Sequence, residues 1–295
     1  MPSLLLHAAA VERLAEPGRG LPPEMERALQ EDLEYARLGA FLPDLPWFDG
    51  LHAGLSLILP RKEPRFARVF HDRAPVAMGL KMAELVSLGA LVGTEAGLAF
   101  VCGYFTHLCL DRVLHPVVEE LALRHRLPRE EPWQSHRRIE WAQALFYLQD
   151  MHGRDIVGTP LLRGHLRVQK QRHPTRGVGR GLYELLRLSA QESLGEAPAK
   201  VDLDGWVRGL YLYGWLLSSR LGKTQGIPGF SSLTRQELYR GDTLSYPDEV
   251  ERALGMARQV LGELWRYMAR GLFTARSRTR FLASFPEGGV GARAA

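Results

Sequence analysis

The chain has 295 residues, of which 45% are hydrophobic and 24% charged, an ordinary globular composition with enough apolar material for a sizeable core. Its formal net charge of +5 favours anionic partners, namely phosphates, nucleic acid or a membrane surface, without choosing among them. The two cysteines, Cys102 and Cys109, exclude a disulfide framework: two turns apart on one helix, their Cα atoms stand about 10 Å apart. They read as buried small hydrophobes and fit a reducing compartment.

In chain order, residues 3–16 read as a first helix, with His7 among leucines and alanines and Pro17-Gly18 as its end. The N-terminus lacks a positive segment and its apolar run is short, so no export signal is expected and the protein is placed in the cytoplasm. A second helix covers about 23–40, opened by Pro22-Pro23 with acids in its first turn. Residues 41–63 are rich in proline and glycine and read as an ordered, irregular connection carrying Asp44, Trp47, Phe48 and His52. His71-Asp72 then stand at the foot of a helix over about 74–92.

A central helix is expected over 95–124, with Thr94 as its N-cap. Pro116 removes a backbone donor and clashes with the carbonyl of Arg112, so a kink is expected just past His115. The apolar run 85–110 is interrupted by Glu95 and closed by His107 and Asp111, so it reads as core and not as a membrane span. After a loop at 125–135, a helix covers 136–151. Further helices fit 179–195, 202–220 and 246–273, with 221–244 irregular and 284–295 a frayed tail. The basic run 163–180 contains no acid; it reads as a solvated loop or as a patch for anionic surfaces or nucleic acid. Gly177–Gly181 follows no strand, which argues against a dinucleotide site. Without period-two alternation, hairpin signals or repeats, the fold class is all-α. One helical bundle is expected, with a core over 1–155 and the helices of 156–295 packed on it.

The chemistry concentrates in Gly103–Pro116, GYFTHLCLDRVLHP. His107, Asp111 and His115 are spaced four apart, which puts all three on one helical stripe in apolar surroundings. Burying such groups unpaired costs several kcal/mol. A divalent metal satisfies them together, and His nitrogen and Asp oxygen are ordinary zinc ligands. His136 and Glu140 repeat the spacing on the next helix, and two such helices facing each other form a metal site as bundles do.

The order His7, Asp44, His71, His107, Asp111, His115, His136, Glu140, with the phrases LGAFLPD and HRRIE, resembles the bacterial zinc-dependent phospholipase C family. The metal site of that family looks related to that of the single-strand-specific fungal zinc nucleases. The resemblance covers about residues 1–155. It implies a helical bundle with two or three zinc ions in a cleft. Carried over, Asp44, His71, His107 and Asp111 would hold one zinc, and His115, His136 and Glu140 a second. His7 with a bridging Asp111 would hold the third. The family order, not spacing, prefers His71 over His52. In secreted members the N-terminal tryptophan completes the third site. Here Pro2, freed by removal of Met1, is the expected substitute. The gap from Asp111 to His115 is shorter than in the secreted enzyme.

Zinc lowers the pKa of bound water to about 7, so hydroxide is available for in-line attack on phosphorus. Asp44 is the expected general base or orienting group. The expected activity is a zinc-dependent phosphodiester hydrolase of phospholipase C type acting on a phospholipid or other phosphate ester. A nuclease-like phosphodiesterase and a non-catalytic, metal-stabilised binding protein stay open as alternatives.

Overall fold

The computed structural model describes residues 4–50, 64–89, 93–168, 178–219, 235–240, 245–269, 271 and 273–285. Thirteen α-helices run through them. They are α1 (Leu4–Leu14), α2 (Pro23–Glu31), α3 (Leu33–Phe41), α4 (Arg65–Asp72), α5 (Pro75–Ser87), α6 (Thr94–Arg124), α7 (Pro132–His152), α8 (Pro160–His165), α9 (Arg180–Leu194), α10 (Lys200–Leu217), α11 (Arg235–Leu238), α12 (Tyr246–Ala269) and α13 (Ala275–Ser284). A 3-10 turn covers Leu45–Phe48. Among the described residues there is no strand, only an isolated bridge between Arg240 and Ser245. The all-α expectation holds.

The 31-residue helix α6 is the axis of the bundle, and α2, α3, α5, α7 and α12 all pack against it. From Gly97 to Asp111 every residue of α6 is buried, because neighbours surround it on all sides. That explains a run apolar enough to be mistaken for a membrane span: 94% of its most apolar stretch lies inside the protein. The helix is continuous through Pro116. One buried apolar cluster takes residues from α1 through α13.

Two glycines set the closest crossing. A Cβ on Gly103 of α6 would lie 1.8 Å from the carbonyl oxygen of Ala36, and one on Gly39 of α3 would lie 1.9 Å from that of Phe100. Only hydrogen fits at either point, so α3 and α6 touch backbone to backbone. Gly209 does the same for α10 against the 3-10 turn, its Cβ position being 2.2 Å from the Phe48 carbonyl.

Several boundaries differ from expectation. The helix anticipated over 23–40 breaks at Asp32, whose φ of −125° and ψ of 40° are not helical. Thr94 is the first helical residue and Gly93 the cap. Helix α7 starts at Pro132, four residues ahead of the expected 136, for a legible reason. Pro132 suits the first turn, and Glu131 and Gln134 exchange side-chain and backbone bonds in a capping box. His71 stands on its own short helix α4, not at the foot of α5. The expected fraying from 284 is corrected at its start. Ser284 closes α13, and Phe285 is buried against Phe105, with the Arg112 guanidinium 4.0 Å above its ring. Pro2, His52, half of the basic run (169–177) and 286–295 lie outside the described residues.

Candidate metal centre

Five segments bring eight polar side chains to one place. Helix α1 supplies His7, the turn after α3 supplies Asp44, and α4 supplies His71. Helix α6 supplies His107, Asp111 and His115, and α7 supplies His136 and Glu140. The i, i+4 spacing works as anticipated: His107 and His115 approach Asp111 from the turns on either side of it.

Asp111 is the centre. Its Oδ1 lies 3.2 Å from His7 Nε2, and its Oδ2 lies 3.0 Å from His107 Nε2, 3.6 Å from His71 Nε2 and 3.7 Å from His115 Nε2. Glu140 is a second focus, with Oε1 3.0 Å from His136 Nε2 and 3.6 Å from His115 Nε2. Asp44, fully buried, points Oδ1 at His71 Nε2 across 3.6 Å. Two groups have ligand atoms close enough to share one ion each: His7, His107 and Asp111, and then His115, His136 and Glu140. The second group is the trio expected for the second zinc. The first joins His7 to His107, whose rings stack at 4.1 Å, whereas the family pattern separated them. His71 remains adjacent, with Nε2 3.3 Å from His107 Nε2.

Backbone carbonyls orient two of these rings. His107 Nδ1 is 2.8 Å from the Ala40 carbonyl on α3, and His71 Nδ1 is 2.6 Å from the Ala67 carbonyl one turn back on α4. A carbonyl only accepts, so each Nδ1 carries the hydrogen and each Nε2 is turned towards the carboxylates. Such outer contacts fix the tautomer of metal-binding imidazoles. Sequence reasoning missed Ala40 and Ala67, since a backbone acceptor leaves no side-chain signal.

The titration pattern follows from burial and crowding. Burial raises Asp44, up to about 7. Burial also opposes ionisation of Asp111, but the imidazoles of His107, His115 and His7 prevail and hold it well below the usual carboxylate range. Glu140 is likewise held down at about 2, its burial outweighed by His136. Burial pulls His107 down to about 4. For His71 the carboxylates of Asp111 and Asp44 overcome burial and lift it to about 9.

These residues fit a divalent cation on their own evidence. Both oxygens of Asp44, Oδ2 of Asp111, Oε2 of Glu140, Nδ1 of His7 and Nε2 of His115 are buried without a hydrogen-bond partner. Orphaned buried acceptors on this scale are costly, about 1–3 kcal/mol each and more when charged. Imidazole lone pairs and carboxylate oxygens also converge where nothing donates enough hydrogens to separate them. A proton on His71 relieves part of this strain, and a metal ion would relieve more of it. The donor set, imidazole nitrogen with carboxylate oxygen, is a zinc set.

A family model described as zinc dependent phospholipase C matches residues 6–176, a span that contains every residue of this centre. No curated protein and no solved structure matches the chain.

Proposed function

The chain belongs to the zinc-dependent phospholipase C family, and on that premise we propose that it hydrolyses the phosphodiester of a phospholipid, with two or three zinc ions in the centre built on Asp111 and Glu140. The observation that carries this reading is the convergence of five imidazole Nε2 atoms on two buried carboxylates.

His7, His107, Asp111, His71 and Asp44 would hold the ions on the α1–α4 side, and His115, His136 and Glu140 the ion on the α7 side. When bound, zinc supplies a water acidified to a pKa of about 7 and positive charge for phosphate oxygens. The chain does the rest. Asp111 sits between the two groups of ligands and positions both. The carbonyls of Ala40 and Ala67 hold His107 and His71 in one tautomer, so the donors do not have to reorient during turnover. Asp44, whose oxygens make no hydrogen bond, is the group placed to orient the attacking water and accept its proton.

Support for a lipid comes from the next cavity along α7. A space of about 350 Å³ is lined by Leu4 and Leu5 of α1, Trp133, Arg137 and Trp141 of α7, and Tyr213 of α10, among others. Arg137 follows His136 directly, and its guanidinium lies 5.6 Å from the Trp133 ring. An apolar wall with two guanidinium groups, Arg137 and Arg138, which lie between His136 and Glu140 in the sequence of α7, suits an ester with acyl chains and an anionic phosphate.

The test is release of the phosphorylated head group from phospholipid vesicles by zinc-loaded protein, with single-stranded DNA as the competing substrate. Wild type is expected to cleave the lipid, and Asp111→Asn to lose zinc and cleavage together. Cleavage of DNA alone, or hydrolysis unaffected by Asp111→Asn, would overturn the reading.

A further inference from the structure

A second histidine pair lies outside the centre described above. His152 is the last residue of α7 and His165 the last of α8. Their Nε2 atoms face each other at 2.8 Å. Behind His165, Nδ1 lies 2.9 Å from Oε1 of Glu12 on α1, and Arg37 of α3 pairs with the same carboxylate at 2.7 Å. These residues, together with Arg154 and Thr159, line an open cleft. Glu12 is five residues after His7 on the same helix, which turns it about 140° away from the first centre. The two sites therefore occupy different sides of α1.

We propose that this cleft is a second transition-metal site, in which the Nε2 atoms of His152 and His165 bind a divalent ion of zinc type. The geometry has the parts such a site requires. Glu12 accepts from Nδ1 of His165, so that ring presents an unprotonated Nε2 to the cleft. The arrangement carboxylate, imidazole, metal is the usual outer support of a zinc ligand. His152 is only partly buried, and its Nε2 points at the same spot. In a tetrahedral site with Zn–N bonds of about 2.0–2.1 Å, two imidazole nitrogens stand roughly 3.3 Å apart. Opening the pair from 2.8 Å by about half an ångström is a small rotation of the partly exposed His152 ring. Helix α7 ends at His152, so its terminal carbonyls turn negative potential towards the ion. Water or an anion completes the shell, and Arg154 is at hand to pair with an anion.

Without metal, the pair satisfies itself by one hydrogen bond: Nε2–H of His152 donates to Nε2 of His165. Binding exchanges that hydrogen for the ion: the His152 ring moves its hydrogen from Nε2 to Nδ1 through solvent, with no net change in the protons it carries. The ion then joins the ends of α7 and α8, with Glu12 tying them to α1. Helices α1 and α7 also carry His7, His136 and Glu140, so the clamp would brace the scaffold of the first centre.

The experiment counts zinc per chain in full-length protein after equilibration with zinc and gel filtration. It compares wild type, His152→Gln, and the double variant Asp111→Asn with Glu140→Gln, which disables the first centre. Wild type is expected to carry one more zinc than His152→Gln. The double variant is expected to retain one zinc, and adding His152→Gln to it should remove that ion. Imidazole nitrogen NMR of the double variant should show Nε2 of His152 and His165 shifting together as zinc is added. His152 is partly exposed, so its replacement leaves folding intact, which circular dichroism checks. Equal zinc counts with and without His152, or Nε2 resonances unmoved by zinc, would overturn the proposal and leave a hydrogen-bonded pair. Because the double variant lacks the first centre, either outcome is independent of the phospholipase reading.

Discussion

Replacing Gly103 by alanine tests how the α3–α6 contact builds the centre. The new Cβ would lie 1.8 Å from the Ala36 carbonyl oxygen, and ordinary contact begins at 3.4 Å. The helices must therefore part by about 1.6 Å in a close-packed interior. The Ala40 carbonyl rides on α3 beside this contact, and its 2.8 Å bond to His107 Nδ1 cannot survive such a shift. Overpacking costs about 1–3 kcal/mol, and a buried imidazole donor left unpaired adds about 1–3 more. Alanine's better helix propensity returns under 1 kcal/mol. The net expectation is a loss of about 1–5 kcal/mol, or roughly 2–8 °C in melting temperature for a chain of this size. Thermal unfolding by circular dichroism measures it, with zinc content determined in parallel and expected to fall. Gly262→Ala in α12 is the control: nothing lies within 4 Å of its Cβ position, so its stability should hold or rise. If Gly103→Ala melts like wild type and keeps its zinc, the close crossing does not position His107.

Three further outcomes follow from named contacts. Asp44→Asn removes a fully buried carboxylate whose oxygens lack hydrogen bonds, so metal-free protein should melt no lower than wild type. The rise in melting temperature on adding zinc should shrink, and a full zinc response would remove Asp44 from the centre. Glu130 holds the α6–α7 turn through paired bonds of 2.8 and 2.9 Å to Arg138 and a bond from the Leu127 amide. The Arg138 bonds lower its pKa below the ordinary 4.5. A depressed carboxylate stabilises above its unfolded pKa, and that contribution is lost as pH falls through the folded value. Denaturant titrations should thus show wild type losing its advantage over Glu130→Gln below about pH 4.5. An advantage that persists in acid would contradict this ion pair. Trp133→Ala should lower activity on long-chain phospholipid vesicles more than on a short soluble phosphodiester, measured as kcat/KM. Equal losses would take the cavity on α7 out of lipid binding.

How far the sequence foretold this protein depends on the range of the interaction concerned. His107, Asp111 and His115 were readable because helical spacing alone places them together, and the same holds for His136 and Glu140. Long-range partners were not readable that way. His71 entered only through the order of motifs in a family, and its helix α4 is eight residues long, too short for periodicity to register. Gly39 and Gly103 carry no side-chain signal of a partner, and only the crossing shows what they admit. The pairing of His152 with His165, 13 residues apart, depends on two helix ends meeting, which no local pattern encodes. Phe285 read as part of a polar, glycine-rich tail, yet it caps the core beside Phe105.

Metal content is the measurement closest to the central claim. Protein purified without chelator, analysed by elemental analysis alongside Asp111→Asn, Glu140→Gln and His152→Gln, counts the ions directly. The centre built on Asp111 and Glu140 is expected to hold two or three zinc per chain, the His152-dependent ion being identified by difference, and to lose zinc sharply in Asp111→Asn. A folded wild-type chain that binds no zinc, even after equilibration with the metal, would contradict that claim.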